Sequence, residues 1–193
     1  MAQRIFSSIN TCSQITDNIY MGGFTCAQPE VYKSRGITCI IDATNIKRSQ
    51  PPPDIDDYFH IGVDDNEHAV LDIYFDEATR RIKQAHDKGG KVLVHCAAGI
   101  SRSSTLVLAY LIRFQGMTLK DAYHLVKKQR SVIAPNIGFW RQLIRYEAKL
   151  NDGKNTVQML RTRYGQRELP DVYFDEFGIK PTTFKTQNNA NGR

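Results

Sequence analysis

The chain has 193 residues, of which 41% are hydrophobic and 24% charged, as in ordinary globular domains. These values exclude a disordered, collagen-like or coiled-coil chain and predict one domain with a tail. The net charge of +6 favours anionic over cationic partners. The longest apolar run, residues 105–112, is too short to cross a membrane, so we expect no membrane span.

The first half of the chain predicts alternating strands and helices. Residues 37–41 are rich in β-branched side chains, which is typical of a buried strand. Apolar residues from Leu71 to Ala85 follow the 3.6-residue period of an amphipathic helix. The predicted elements are a hairpin at 14–22, a helical turn at 29–34, strands at 37–41 and 58–63, and a helix at 71–85.

The second half predicts a strand at residues 91–95 and then a helix at 103–114 that is apolar on nearly every side. Thr118 and Asn136 are candidate caps of two further helices, the second of which ends near residue 151. The alternation of strands and helices indicates an α/β domain. Periodicity fades after residue 151, and residues 182–193 are predicted to be a disordered tail.

The four cysteines stand far apart, without the CxxC spacing of a redox motif or a metal site. They are Cys12, Cys26, Cys39 and Cys96. We therefore expect neither a disulfide framework nor a bound metal, and a reducing compartment fits best.

A cluster of cations, Lys127, Lys128 and Arg130, stands at the predicted end of a helix. Cations at this position interact favourably with the helix dipole. We interpret the cluster as a helix end and not as a nucleic-acid site.

Residues 96–102, here called the cysteine loop, join an apolar strand to an apolar helix. Backbone N–H groups of such a loop can surround one point ahead of the helix N-terminus and bind an anion. Gly99 can adopt a positive φ, and Arg102 offers a planar fork to two phosphate oxygens. The predicted phosphate-binding residues are Cys96, Ala97, Ala98, Gly99, Ile100, Ser101 and Arg102.

Cys96 occupies the point where the helix dipole, the loop N–H groups and Arg102 all favour negative charge. These conditions favour a thiolate, which can attack a bound phosphate and form a phosphocysteine. Ser103 is positioned to donate a hydrogen bond to the departing thiolate, and His95 is expected to position the loop.

Three other interpretations of this segment fit its residues less well. A buried, inert cysteine is seldom followed by Gly and Arg at these spacings. A nucleotide-binding loop of the GxxxxGK[ST] type requires a lysine that is missing here. A GxSxG elbow requires a second glycine where residue 103 is a serine.

The leaving oxygen needs a proton, so a carboxylic acid should stand across the site. Asp64, Asp65 and Glu67, here called the acid loop (residues 64–67), follow a predicted strand whose end meets the same edge as Cys96 if the strands are parallel. Spacing alone leaves all three acids open.

Cys-x5-Arg-Ser between a strand and a helix is similar to the signature of cysteine-dependent phosphatases, and residues 95–103 (HCAAGISRS) resemble its dual-specificity version. The resemblance extends over residues 14–173. Further matching pieces are SRGITCI (34–40), IYFD (73–76), LVHCAAG (93–99), AYL (109–111) and PNIGFWRQLIRYE (135–147). The later pieces YG and PDVY are most similar to the small atypical branch that includes MAP kinase phosphatase six.

The resemblance implies one α/β phosphatase domain with a mostly parallel sheet flanked by helices. Its bounds would be residues 13–150, with extensions at 1–12 and 151–193. It implies no metal or other cofactor, and hydrolysis of phosphotyrosine and phosphoserine or phosphothreonine in proteins. Lipid phosphatases carry lysines in this loop and RNA triphosphatases a more polar loop; these, and a phosphopeptide-binding pseudophosphatase, are the alternatives.

The same resemblance assigns roles: Cys96 the nucleophile, Arg102 the phosphate clamp and Ser103 the thiolate partner. Among the acids, it selects Asp65, which lies nine residues before Tyr74. Asn136 matches a structural asparagine. Asp42 stands where the family usually has asparagine, and its charge is expected to perturb the nearby loop.

Phosphorylated proteins, among them MAP kinase pathway components, are the expected partners, and nucleic acid and membranes are not. The chain has no room for a rhodanese-like kinase-docking domain, which leaves kinase specificity open. A cytoplasmic location with access to the nucleus is expected.

Overall fold

Five strands form a sheet in the order β1-β2-β5-β3-β4. β1 pairs antiparallel with β2, and the other three pairings are parallel. The bounds are β1 Ser13–Gln14, β2 Ile19–Gly22, β3 Ile37–Asp42, β4 Asp57–His60 and β5 Lys91–His95. The mostly parallel sheet predicted from the sequence is confirmed.

The computed structural model describes residues 11–47, 50–162 and 167–180. The chain divides into two compact units, residues 1–156 and 157–193. The predicted disordered tail at 182–193 and most of the predicted N-terminal extension lie outside the described residues.

Helices of the first unit flank the sheet, and α3 is the most buried of those described. Residues 102–112 of α3 are all buried, which explains why this segment is apolar on nearly every side. It packs against α2, α4 and α5. The bounds are α1 Pro29–Ser34, α2 Phe75–Asp87, α3 Arg102–Gln115, α4 Leu119–Gln129 and α5 Ile137–Leu150.

Both predicted helix caps are confirmed. The Thr118 hydroxyl accepts a hydrogen bond from the Asp121 N–H (3.1 Å) ahead of α4. The Asn136 side-chain oxygen accepts one from the Phe139 N–H (3.0 Å) ahead of α5. These bonds satisfy N–H groups that the first turn of a helix leaves unpaired.

Two element bounds differ from the prediction by three residues or more. β4 ends at His60, because the Val63 N–H turns back to the Ile61 carbonyl (2.9 Å). The predicted helix from Leu71 begins as a 3₁₀ turn, Asp72–Tyr74, before α2 starts at Phe75. A 3₁₀ turn is common at the start of an α-helix.

The two faces of the sheet are covered by different elements. Tyr20, Leu93 and Ile40 stand side by side on β2, β5 and β3 and share one face. They pack with Tyr32 of α1 and with Cys26 in the 3₁₀ turn Phe24–Ala27. The opposite face supports α2 and α3.

The carboxyl ends of the parallel strands are in register. His95 of β5 stands beside Gly22 of β2 and Asp42 of β3, and Asp42 stands beside His60 of β4. Loops that follow these residues meet at one edge of the sheet, where ligands of α/β folds bind.

The second unit contains an antiparallel hairpin and a short helix. The hairpin pairs β6 Met159–Arg161 with β7 Glu168–Pro170, and α6 Val172–Phe177 follows. None of these elements is predicted by the sequence pattern. No helix among the described residues is long and apolar enough to span a membrane.

Candidate active site

Cys96 follows β5 directly and is almost inaccessible, at 1% exposure. Its Sγ accepts a hydrogen bond from the Gly99 N–H (3.3 Å), and the Ser103 hydroxyl lies 3.3 Å from the same atom. The Gly99 N–H and the Ser103 hydroxyl thus converge on the sulfur, and both can donate to a thiolate.

The carbonyls of the cysteine loop bond outwards. The Phe24 N–H donates to the Ala97 carbonyl, and the Ala134 N–H donates to the Ile100 carbonyl, both at 3.0 Å. In a trans peptide the N–H lies opposite the C=O. The next N–H after each of these carbonyls therefore points inwards.

Arg130 binds the two carbonyls that lie between those of Ala97 and Ile100. Its Nη2 donates to Ala98 (3.1 Å) and its Nε to Gly99 (2.7 Å). Its Nη1 donates to the carbonyl of Thr11 (2.7 Å). The side chain is 2% exposed, and burial lowers the pKa of its guanidinium. The interpretation of Arg130 as a helix-end cation is therefore incomplete: it shapes the cysteine loop.

Gly99 allows this loop to lie on the end of β2. Its φ is +67°, which favours glycine. A Cβ at this position would lie 2.3 Å from the backbone carbon of Gly22 and 2.7 Å from Arg130 Nη2. No other residue type fits here without a shift of backbone.

Arg102 is the first residue of α3, and its side chain is buried. Its Nη1 donates to the Val63 carbonyl (2.9 Å), which ties it to the segment before the acid loop. Its Nε makes no hydrogen bond to the described residues, and Asp65 Oδ2 lies 3.5 Å away. A buried, unsatisfied cationic donor favours an anionic ligand.

The three candidate acids have different surroundings. Asp65 Oδ1 accepts a hydrogen bond from the Ser101 hydroxyl (2.7 Å), on the cysteine loop. Asp64 Oδ1 instead accepts one from the Asn45 side chain (2.7 Å). Glu67 is exposed. Of the three, Asp65 is the acid whose carboxylate contacts the cysteine loop.

Asn136 joins the acid loop to the cysteine loop. Its Nδ2 donates to Asp65 Oδ1 (2.9 Å) and to the Asn66 carbonyl (3.2 Å), and its backbone N–H donates to the Ser101 hydroxyl (3.1 Å). The cap of α5 is thus also the connection between the two loops.

Two residues of α5 that the sequence analysis missed contact the acid loop and the segment that follows it. The side-chain oxygen of Gln142 accepts hydrogen bonds from the N–H groups of Leu71 and Asp72, both 2.8 Å. Gly138 lies against the backbone of Glu67, where a Cβ would be 2.1 Å from the carbonyl oxygen. A glycine in the first turn of a predicted helix was the available signal.

His95 and Asp42 lie buried behind Cys96. His95 Nε2 is 3.7 Å from Asp42 Oδ1. Burial lowers the pKa of His95, and the Asp42 carboxylate opposes this shift. Asp42 accepts hydrogen bonds from the Tyr58 hydroxyl (2.6 Å) and the Thr44 N–H (2.8 Å). These donors stabilise the carboxylate that stands where the family usually has an asparagine.

The predicted site residues are therefore brought together at one edge of the sheet. A sulfur nucleophile lies below inward-facing N–H groups, with a guanidinium and a carboxyl beside it. This arrangement can bind a tetrahedral phosphate ester, attack its phosphorus and protonate the leaving oxygen. Among the described residues, no three His, Cys, Asp or Glu side chains group as metal ligands.

The chain is similar to known proteins over most of its length. A family model described as the dual specificity phosphatase catalytic domain matches residues 19–149. Dual specificity protein phosphatase 14 of Homo sapiens is 44% identical over 179 residues, 91% of this chain and 88% of that protein. Dual specificity protein phosphatase 18 of Homo sapiens is 38% identical over 170 residues, 88% of each.

Solved structures have the same fold. The human tyrosine phosphatase-like serine/threonine/tyrosine-interacting protein matches with a TM-score of 0.67 and 32% identity, over 72% of this chain and 96% of that one. The residues that the family model matches include the acid loop, the cysteine loop and Asn136.

Proposed function

We propose a phosphocysteine mechanism for this chain, which belongs to the dual specificity phosphatases and hydrolyses phosphotyrosine and phosphoserine or phosphothreonine in proteins. In the proposed first step, Cys96 Sγ attacks phosphorus and the bond to the leaving oxygen breaks. Asp65 gives a proton to that oxygen, and Arg102 with the loop N–H groups binds the phosphoryl oxygens.

In the second step water attacks the phosphocysteine. Asp65, now ionised, takes a proton from the water, and the sulfur leaves as a thiolate. The Ser103 hydroxyl, 3.3 Å from Sγ, is placed to donate a hydrogen bond to that thiolate. His95 is assigned a positioning role, behind the loop and without contact to the phosphate.

The outward bonding of four successive carbonyls, residues 97–100, carries this proposal. The N–H groups of the same peptides then lie on the inner side of the loop, where the Gly99 N–H donates to Cys96 Sγ. Preorganised donors of this kind stabilise charge that develops on a transferred group.

Cys96→Ser tests the nucleophile. The hydroxyl fits the loop but is not ionised at neutral pH, so turnover of phosphopeptides should fall below detection while vanadate, a phosphate mimic, still binds. Calorimetric titration with vanadate and phosphate release are the two measurements. Turnover at the wild-type rate in this variant would overturn the mechanism. Turnover that the wild type shows and the variant lacks excludes a pseudophosphatase that only binds phosphopeptides.

Phosphorylated proteins are the substrates of this family, and we propose MAP kinase pathway components among those of this chain. The resemblance to the branch that includes MAP kinase phosphatase six supports this. Capture by Cys96→Ser, followed by dephosphorylation of the captured protein by the wild type, tests it. A set of captured substrates without such components contradicts it.

We propose that the protein works in the cytoplasm and enters the nucleus. Scattered cysteines and phosphoprotein substrates support a reducing compartment. Fractionation of cells followed by immunodetection tests the location, and enrichment in a secretory or membrane fraction contradicts it.

A further inference from the structure

A groove with mostly apolar walls opens beside the cysteine loop and has no part in the mechanism above. Its volume is about 290 Å³. This is near the lower end of the range of about 300–1,000 Å³ for ligand pockets, so it suits one or two side chains. Its described walls include Phe24, Ala27, Ile40, Ile46, Pro52 and Tyr58.

The groove lies against the residues on either side of Cys96. The Phe24 N–H donates to the Ala97 carbonyl of the cysteine loop, and His95, which precedes Cys96, also lines the groove. On the other wall, Ile46 follows Asn45, whose side chain holds Asp64 of the acid loop. A polypeptide with its phosphate on Cys96 therefore leaves the loop beside this groove.

The rim is apolar and open to solvent. Phe24 is 49% exposed and Ile46 is 44% exposed. Apolar surface withdrawn from water on binding is favourable, and an apolar side chain placed between these two would cover both.

The floor disfavours a negative occupant. The Asp42 carboxylate lines the groove and is buried, and it accepts hydrogen bonds from Tyr58 and Thr44. A second carboxylate or phosphate there would meet this charge at low dielectric, where like charges repel strongly. The groove thus fits an apolar side chain better than an acidic one.

We propose that this groove is a specificity subsite for an apolar side chain of the phosphoprotein substrate, within three residues of the phosphorylated one. An extended peptide advances about 3.3–3.6 Å per residue, so three residues span about 10 Å. Because the groove rim is hydrogen-bonded to the cysteine loop, that reach suffices. The inference rests on the proposed function, since the phosphate on Cys96 fixes the peptide.

Phosphotyrosine peptides test the subsite. Pairs of peptides carry leucine or aspartate at one position, up to three residues before or after the phosphotyrosine, and alanine elsewhere. We expect kcat/KM to be about tenfold higher for leucine than for aspartate at one or more of these positions. Equal values at every position, or a preference for aspartate, overturn the proposal.

Two variants assign the preference to the groove. Phe24→Ala removes the ring, and Ile46→Glu places a charge on the rim; both should bring the leucine-to-aspartate ratio close to one. Leu150→Glu is the matched control, because Leu150 is 43% exposed at the far end of α5. A ratio that survives both groove variants, or that Leu150→Glu also abolishes, overturns the assignment.

Turnover of p-nitrophenyl phosphate separates this proposal from the mechanism, because that substrate has no flanking residues. A wild-type enzyme that hydrolyses it and all peptides without a leucine preference overturns the subsite and keeps the mechanism. A wild-type enzyme that hydrolyses none of them overturns both.

Discussion

Asp64 and Asp65 are the same residue type one position apart, and their carboxylates have different partners. Asp65 contacts Ser101, whereas Asp64 contacts Asn45. Asp65→Asn is expected to lower kcat/KM on phosphopeptides by about 10²- to 10⁴-fold, and less on aryl phosphates that leave unprotonated. Asp64→Asn should stay near the wild type in the same steady-state assay.

The alkaline limb of the rate profile gives an independent measurement, because it reports the protonated acid. It should flatten in Asp65→Asn and persist in Asp64→Asn. The reverse pattern would place the acid one residue earlier, and a normal limb in both variants would leave Glu67 as the next candidate.

Arg102 makes one guanidinium contact to the backbone and leaves Nε without a hydrogen bond among the described residues. Arg102→Lys keeps the charge but loses the planar fork that binds two phosphoryl oxygens. We expect kcat/KM to fall by about 10²-fold or more, as when an oxyanion donor is removed. Wild-type kinetics in the lysine variant would reduce Arg102 to a structural cation.

Among the residues of the candidate site, the sequence predicts those whose spacing along the chain is local. Cys96 and Arg102 belong to one loop, and Asp65 is selected by its distance from Tyr74 in related sequences. Arg130 has no such signal, because its partners are backbone carbonyls 31 and 32 residues away. A buried arginine and an exposed one look alike at the end of a helical pattern.

Gly138 of α5 packs against the backbone of the acid loop, and this contact is possible because glycine has no Cβ. Alanine ordinarily stabilises a helix over glycine by about 0.5–1 kcal/mol. At Gly138 the new Cβ would lie 2.1 Å from the Glu67 carbonyl oxygen, so the acid loop must move. We expect Gly138→Ala to lower kcat on phosphopeptides by about 10- to 10²-fold.

Gly62→Ala is the matched control, since its Cβ would meet His60 at 3.6 Å, an ordinary contact. A thermal melt of each variant reports whether folding is affected as well. Unchanged kinetics in Gly138→Ala would mean that the acid loop does not depend on this contact for its position.

The elements that the sequence predicts are those with a long pattern or a cap. α3 has eleven consecutive buried residues, of which the last seven, 106–112, are hydrophobic, and Thr118 and Asn136 mark helix starts. The hairpin of the second unit is missed because strands of three residues are too short to show an alternation. The end of β4 at His60 is missed because Ile61 and Val63 continue the alternation typical of a strand, although the backbone turns there.

The stability of the whole molecule should depend on pH through His95. Its pKa is lowered in the folded state because it is buried, from an ordinary value of 6.5. Below that value the unfolded chain binds a proton that the folded chain does not, so the free energy of unfolding falls as pH decreases. Above it the histidine is neutral in both states and the effect disappears.

Denaturant titrations between about pH 5 and 8 check this, since that range contains the ordinary titration of histidine. His95→Gln should flatten the acid side of the stability profile. The exposed His124, changed to Gln, should leave the slope as in the wild type. An equal slope in all three proteins would show that other groups cause the loss of stability in acid.

Arg130 bonds the carbonyl of Thr11, 119 residues earlier in the chain, as well as the cysteine loop. During synthesis, the segment that holds the loop leaves the ribosome only after the loop itself. Contacts between such distant residues form late, because a long chain must close before they can be made. A nascent chain that ends before residue 130 therefore has the nucleophile without the frame that orients its amides, and phosphatase activity begins only when most of the first unit has emerged.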